Sequence, residues 1–225
     1  QNGSRRMRHM YIRSAYLGVL IVVLLYALLA FARGDDLSYQ QLALAGSNSF
    51  KYIAYLQIGL ICVLAPVFMA GAIAQEADPK TWDILLTTPL SPGQIVVGNL
   101  MGRLFFILAL LGSSLPLFAV TQYFGGVPGL SIFTSYLIAG CAALLVGAMA
   151  ISLSVSRLVG KRAVFAFYVG VISYLALTYA VDAVYFGGAS VSYMTGLNPF
   201  LTLRALLDPA GYPRGEAGRG GVGAF

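Results

Sequence analysis

Five long runs of apolar residues constrain what this chain can fold into. The runs cover about residues 14–32, 50–74, 95–120, 131–156 and 163–184. A helix that crosses a bilayer needs about 20 mostly apolar residues, and each run meets that length. Only helices and closed barrels satisfy the backbone in lipid, and the runs lack the alternating polarity of barrel strands. The sequence therefore predicts an all-α, polytopic helical membrane protein with five visible spans.

The composition agrees with a membrane protein and argues against other classes. Of the 225 residues, 59% are hydrophobic and only 10% are charged, whereas a soluble domain has about 25% charged residues. The net charge of +6 does not indicate a nucleic-acid partner, because the basic residues cluster at the ends of the apolar runs. Cys62 and Cys141 both lie inside apolar runs, so no disulfide framework is indicated.

Basic residues flank the apolar runs unevenly, which predicts the orientation of the chain. One side has only Arg33 and Lys51 before the fifth run. The other side has nine: Arg5, Arg6, Arg8, Arg13, Lys80, Arg103, Arg157, Lys161 and Arg162. Because cytoplasmic loops are enriched in Lys and Arg, the N-terminus and residues 75–94 are predicted to be cytoplasmic. The basic tail then falls outside, and a sixth span would return the chain to the cytoplasm.

The segment QEADPKTWDILLTTPLSPGQ, residues 75–94, is richer in signals than a simple connection between spans. It contains three of the eight acidic residues, three prolines and the only tryptophan. Asp78-Pro79 predicts a helix start, because Asp caps free backbone N–H groups and Pro suits the first helical position. Pro89 ends this helix, which gives a short helix over residues 79–88.

Two further capped helix starts are visible in the sequence. Ser91-Pro92 begins the helix that enters the third span, and Gln94 completes a capping box with Ser91. Asn198-Pro199 repeats the pattern after the fifth span and predicts a short apolar helix over residues 199–207. That helix is too short to cross a membrane.

One face of the 79–88 helix is apolar, and two interpretations of it stay open. Trp82, Leu85 and Leu86 share that face, because they are three and four residues apart. The helix could lie on the lipid surface with its tryptophan at the headgroup level. Alternatively, it could dock into a groove of a soluble partner.

The sequence QEADPKTWDILLTTPLSPGQIVVGNLMGRL resembles the signature of type-2 permease subunits of ABC transporters. In that family a Glu ends the second span, and a Thr, an acid, Leu-Leu and Thr-Pro-Leu-Ser follow. The matching positions are Glu76, Thr81, Asp83, Leu85, Leu86, Thr88, Pro89, Leu90 and Ser91. This chain departs from the family at Asn99, where a Lys usually follows the glycine. The resemblance covers most of residues 1–210, which we interpret as one permease domain, with a glycine-rich tail at 211–225 whose composition predicts disorder.

The resemblance implies a transport function and a set of partners. Residues 79–88 would be the coupling helix, which docks in a cleft of a separate ATP-binding subunit. The docking residues would be Trp82, Asp83, Leu85, Leu86, Thr88 and Pro89. Two permease subunits, identical or different, would enclose an export path in the lipid of the plasma or inner membrane. ATP and Mg²⁺ would bind to the partner subunit, and this chain would hold no cofactor.

The residues themselves do not indicate an enzyme. No phosphate-binding loop occurs, since Gly160-Lys161-Arg162 lacks both the upstream glycine and the Ser or Thr of that motif. The single His9 has no clustered ligands for a metal site and no partners for a catalytic triad. The main alternative to a permease is a non-transporting membrane scaffold that recruits a cytosolic partner through the same loop. A membrane enzyme is disfavoured.

Several isolated residues give weaker expectations. Glu76 and Arg103 lie near the cytoplasmic surface, where they could form an ion pair that orients the loop or remain two separately solvated charges. Asp182 lies near the outer end of the fifth span, and a solvated span end is favoured over a substrate path. Pro66 and Pro116 lie within spans two and three and are expected to kink them.

Overall fold

The computed structural model describes residues 2–31, 38–76, 91–154, 161–185 and 191–208. Within these ranges all regular secondary structure is helical. The helices are α1 Asn2–Phe31, α2 Tyr39–Glu76, α3 Pro92–Ser113, α4 Leu115–Tyr123, α5 Gly129–Ser154, α6 Lys161–Tyr185, α7 Tyr193–Leu197 and α8 Pro199–Leu207. Among the described residues, five segments are long and apolar enough to cross a membrane, and α3 and α4 share one of them. The predicted all-α polytopic class is therefore confirmed.

Helices α2 and α5 form the centre of the bundle. Helix α2 packs against α1, α3, α4, α5, α6 and α8, and α5 packs against α2, α3, α6 and α8. The side chains between the helices are buried, whereas large apolar side chains such as Phe105 are 74% exposed on the outside of the bundle. Since lipid is as apolar as these side chains, close packing through small residues has to hold the helices together. Ala139 and Ala143 on α5 are 1% and 0% exposed, as such packing requires.

The second helix starts earlier than the sequence indicates. The apolar run begins near residue 50, but α2 begins at Tyr39. The intervening Ser47, Asn48 and Ser49 are polar, which is why the pattern reads as a connection. In the fold Ser49 is fully buried, so tertiary packing extends the helix through residues whose own preference is weak.

The third span is broken near its middle. Helix α3 ends at Ser113, Ser114 is the joint, and α4 starts at Leu115 with Pro116 in its first turn. Proline lacks the N–H that would bond to the carbonyl four residues earlier, and its ring clashes with that carbonyl. The kink expected at Pro116 therefore takes the form of an interruption of one residue, Ser114, whose φ and ψ of −85° and −9° stay in the right-handed helical region. By contrast, α2 continues as a helix through Pro66.

Helix α2 runs antiparallel to α3 and α4. Near the start of α2, a Cβ on Gly46 would lie 2.7 Å from the carbonyl oxygen of Gly125. Further along α2, Gln57 hydrogen-bonds to Ser114 at 3.3 Å. As residue numbers rise along α2 they fall along its neighbour, so the C-terminal end of α2 and the N-terminal end of α3 lie at the same end of the bundle.

Candidate functional site

The predicted docking segment is bounded by two helix ends at one end of the bundle. Helix α2 ends at Glu76, and α3 begins at Pro92. Ser91 Oγ accepts a hydrogen bond from the backbone N–H of Gln94 at 3.4 Å. Gln94 Oε1 accepts one from the backbone N–H of Ser91 at 3.0 Å. The capping box predicted here is confirmed, and it fixes where the connection ends and α3 begins.

The side chains predicted to form the site lie outside the described part of the structure. Residues 77–90 include all six predicted docking residues, namely Trp82, Asp83, Leu85, Leu86, Thr88 and Pro89. Glu76 is the last residue of α2 and Arg103 lies within α3, but neither side chain belongs to the described part. The docking face and the loop-orienting pair therefore stay predictions.

A buried polar cluster connects four spans at the break in the third one. Ser114 Oγ lies 2.8 Å from the hydroxyl of Tyr136, and it accepts from Gln57 Nε2 at 3.3 Å and from the Tyr16 hydroxyl at 3.4 Å. Ser114 is 0% exposed, and Tyr16 and Gln57 are each 2% exposed. We call Tyr16, Gln57, Ser114 and Tyr136 the Ser114 cluster.

The Ser114 cluster lies deep in the bundle, next to a stack of aromatic rings. Ser114 is about halfway along the candidate span Leu104–Tyr123, so in a membrane it would lie near the middle of the bilayer. The ring of Phe118 packs edge-on against Tyr136 at 5.1 Å and against Phe50 at 5.6 Å. Polar side chains at this depth cannot bond to water, so they bond to each other and fix the helices that supply them.

Sequence reasoning missed the Ser114 cluster. Its members come from four separate apolar runs, and Tyr16 and Ser114 are 98 positions apart. A signal was present in Gln57, an amide side chain in the middle of a candidate span, because uncompensated polar groups are costly in lipid. The cluster has three hydroxyl side chains and one amide. Such groups are suited to holding helices together rather than to acid–base chemistry.

A second polar network joins α6 to the helices that follow it. Asp182 on α6 is 1% exposed and accepts a hydrogen bond from the hydroxyl of Ser192, which caps α7. The expectation of a solvated span end at Asp182 is therefore wrong. Because the chain turns back after α6, the α7 cap covers the carboxylate, and that contact is not visible in the sequence around Asp182.

The same network fixes the start of α8. Asn198 caps α8 by accepting from the backbone N–H of Phe200 at 3.0 Å. Its amide nitrogen donates to Thr178 Oγ1 at 2.8 Å and to the carbonyl oxygen of Leu175 at 3.1 Å. Asn198 thus ends α7, starts α8 and attaches both helices to α6. Among the described side chains, no group of three or more His, Cys, Asp and Glu residues converges to hold a metal ion.

The comparison with protein families gives the class of the chain. The sequence model of the family described as ABC-2 family transporter protein matches residues 8–218. The chain belongs to this family. Comparisons with curated proteins and with solved structures found no match.

Membership in the ABC-2 family establishes several broad features of this permease. It is a multi-pass membrane protein, consistent with its five candidate spans. It is the transmembrane component of an ABC transporter and not the ATPase. Membership also implies, in general, an ATP-binding ABC partner subunit. The resemblance to type-2 permeases drawn from the residues around Glu76 and Thr88 is thus confirmed at the level of the family.

Proposed function

We propose that this permease exports its substrate from the cytoplasm across the plasma or inner membrane, driven by an ATP-binding subunit that docks on residues 79–88. Support comes from the antiparallel arrangement of α2 and α3, which join through this segment. A displacement of the docked segment would act on both helices at once. Since α2 contacts α1, α3, α4, α5, α6 and α8, the displacement would reach most of the bundle.

The docking face consists of the apolar stripe Trp82, Leu85 and Leu86, with Asp83, Thr88 and Pro89 beside it. Interface energy concentrates in a few buried aromatic and aliphatic anchors. The stripe has one aromatic and two aliphatic side chains at helical spacing, which suits a hydrophobic groove. The N-terminus and this segment then face the cytoplasm, where the positive-inside rule also puts them.

The complete transporter would contain two permease subunits and two ATP-binding subunits, with ATP and Mg²⁺ held by the latter. The two permeases could be identical or different chains, and bilayer lipid would surround the exposed apolar faces. The alternative is a scaffold that recruits a cytosolic partner without transport. Family membership favours transport, because a scaffold would not need a partner that hydrolyses ATP.

A pair of substitutions on the apolar stripe tests the docking proposal. We expect Trp82→Ala and Leu85→Asp to abolish co-purification with the ATP-binding subunit, or to preserve the complex while ATP hydrolysis no longer responds to the permease. Insertion and folding should be retained, because residues 79–88 lie between the apolar runs 50–74 and 95–120 of the sequence. The readouts are complex recovery and the ATP hydrolysis rate in lipid nanodiscs.

Lys80→Ala is the matched control, because Lys80 lies on another face of the same predicted helix. It should leave complex recovery and hydrolysis close to the parent values. An intact complex with normal hydrolysis in both stripe variants would contradict the docking proposal. A small effect of Leu85→Asp that other membrane-seeking residues rescue would instead indicate a helix that lies on the lipid.

We further propose that Glu76 and Arg103 orient the docking segment. From the Gln57 to Ser114 contact, the antiparallel register puts the two residues about 12 Å apart along the bundle axis, near the limit for two extended side chains. Charge reversal at either residue should lower permease-stimulated ATP hydrolysis, and the double reversal should restore part of it. Strictly additive losses would mean that the two charges act separately.

A further inference from the structure

The break at Ser114 leaves the first turn of α4 weakly bonded to α3. Pro116 has no N–H, and the amides of Leu117 and Phe118 both turn to the carbonyl oxygen of Ser114, at 3.0 and 3.5 Å. The Ser114 N–H bonds to the carbonyl oxygen of Leu111 at 3.0 Å. The regular pattern of hydrogen bonds between each N–H and the carbonyl oxygen four residues earlier is therefore disturbed at Ser114, which makes this the point of the third span at which a helix is most easily bent.

Ser114 Oγ has more hydrogen-bonding neighbours than a hydroxyl can satisfy. A hydroxyl donates one hydrogen bond and accepts two. Four groups lie within reach of Ser114 Oγ: the Leu111 carbonyl oxygen at 2.7 Å, Tyr136 at 2.8 Å, Gln57 at 3.3 Å and Tyr16 at 3.4 Å. At most three of these contacts can be hydrogen bonds at one time. The two longest contacts, from Gln57 and Tyr16, are nearly equal in length and therefore compete for one acceptor position on Ser114 Oγ.

Gln57 has other acceptors nearby when it does not bond to Ser114. The Gln57 amide also lies close enough to hydrogen-bond with the hydroxyls of Tyr16 and Tyr136. An arrangement that leaves Gln57 without Ser114 therefore still provides its buried amide with an acceptor, whose loss would otherwise cost the full desolvation of that group. The alternatives are separated by small differences in distance and not by a broken network.

The helices on the two sides of the break, α3 and α4, pack against different neighbouring helices. Helix α3 lies mainly against α5, whereas α4 lies against α2 and α1. Tyr16 is supplied by α1, Gln57 by α2 and Tyr136 by α5. Which of them bonds to Ser114 thus decides whether the joint is held more closely to α1 and α2 or to α5.

We propose that Ser114 is an exchange joint in the middle of the bundle, at which the choice of hydrogen-bond partner sets the angle between α3 and α4. A permease must change the arrangement of its spans during transport, and a joint at which hydrogen-bond partners can exchange allows that without exposing polar groups to lipid. The proposal concerns the described residues alone and does not depend on where an ATP-binding subunit docks.

Spin labels on each side of the joint measure its angle directly. Phe105 on α3 is 74% exposed and Tyr123 at the end of α4 is 91% exposed, so both positions accept a label. Eighteen residues of unbroken helix would separate them by about 27 Å. The experiment uses double electron–electron resonance on the full chain in lipid nanodiscs, with Cys62 and Cys141 replaced by alanine. We expect two distance components in this parent.

Removing one competitor distinguishes an exchange joint from a fixed brace. Tyr16→Phe leaves three groups for three hydrogen bonds, so the minor distance component should fall by about threefold to tenfold, the equivalent of one net hydrogen bond. Gln57→Leu should act in the same direction. Pro116→Ala restores the missing N–H and should give one narrow component near the continuous-helix distance. If the cluster instead has one fixed arrangement that only stabilises the bundle, Tyr16→Phe removes a stabilising hydrogen bond and broadens the distance distribution.

Two controls match these variants closely. Tyr26→Phe changes a 73% exposed tyrosine on the same helix, and it should leave the distribution unchanged. Ser113 Oγ donates to the carbonyl oxygen of Leu110 at 2.6 Å, as Ser114 does to Leu111, but Ser113 is outside the cluster. Ser113→Ala should have no effect, whereas Ser114→Ala should broaden the distribution. A single narrow component in the parent, or an unchanged or broader distribution in Tyr16→Phe, would overturn the proposal.

Discussion

Gly46 on α2 and Gly126 in the turn that follows α4 mark a close approach of the two backbones, since a Cβ on Gly126 would meet the carbonyl oxygen of Ala43 on α2. A Cβ at this position would lie 2.7 Å from the carbonyl oxygen of Gly125 and 3.1 Å from that of Thr121. Gly125 and Gly126 have φ angles of 85° and 77°, a backbone conformation that side chains rarely adopt. Gly46 and Gly126 are therefore favoured by the close approach and Gly125 by its backbone angle, and together they allow the N-terminal part of α2 to pack on the end of the third span.

Alanine at Gly46 should destabilise the permease by about 1–3 kcal/mol, because the added carbon forces two backbones apart. Gly59 on the same helix has no neighbouring atom within 4 Å of its added Cβ. Gly59→Ala should therefore be neutral or stabilise by up to about 1 kcal/mol. The measurement is thermal unfolding with a thiol-reactive dye that reports exposure of the buried Cys62, in a Cys141→Ala background. Equal effects of the two substitutions would contradict this account of Gly46.

Single residues were predictable from the sequence where their partners are close in the chain. The capping box of Ser91 and Gln94 was predicted because both of its hydrogen bonds join residues three apart. Ser114 and Asp182 were not, because their partners come from other helices. A buried polar residue in an apolar run indicates that a partner exists, but it does not identify that partner.

At the scale of elements, Asp182 on α6 holds the chain that follows this helix by a hydrogen bond from Ser192. Ser192 Oγ donates to its carboxylate and also caps α7 by accepting from the backbone N–H groups of Met194 and Thr195 at 3.1 and 3.3 Å. Helix α8 then packs on α5 and α2. Loss of the contact between Asp182 and Ser192 would therefore loosen both short helices.

A double-mutant cycle on this pair should show coupling. Asp182→Ala and Ser192→Ala should each destabilise the permease, and the double substitution should cost less than their sum by about 1–3 kcal/mol. Cys62 exposure on heating again gives the readout. Tyr193→Ala is the control, since Tyr193 is 75% exposed beside Ser192, and it should show no coupling to Asp182→Ala. Simple additivity within the pair would show that the two side chains do not support each other.

Elements were predictable to the extent that apolar length defines them. The five spans follow from runs of about 20 apolar residues, since a bilayer imposes that length. The start of α2 at Tyr39 did not follow, because residues 39–49 are held helical by packing that includes the Gly46 contact. The break at Ser114 was only partly foreseen, as Pro116 predicts a distortion but not its extent.

At the scale of the whole molecule, α2 connects the end of the bundle at Glu76 with the interior of the bundle at Gln57. The helix is 38 residues long, about 57 Å, and it contacts α1, α3, α4, α5, α6 and α8. Its C-terminal end at Glu76 borders the proposed docking segment, and Gln57 in its middle belongs to the Ser114 cluster. A partner that moves the end of α2 would thus act on the joint through a single continuous helix.

The sidedness of the proposed partner contact is the most direct test of this account. A photo-crosslinking amino acid at Trp82 should capture the ATP-binding subunit in intact cells. The same amino acid at Tyr123, which is 91% exposed at the far end of the third span, should capture none. Crosslinking of the ATP-binding subunit from position 82 alone is the result that the account predicts. Capture from position 123 but not from position 82, or only lipid adducts at position 82, would contradict it.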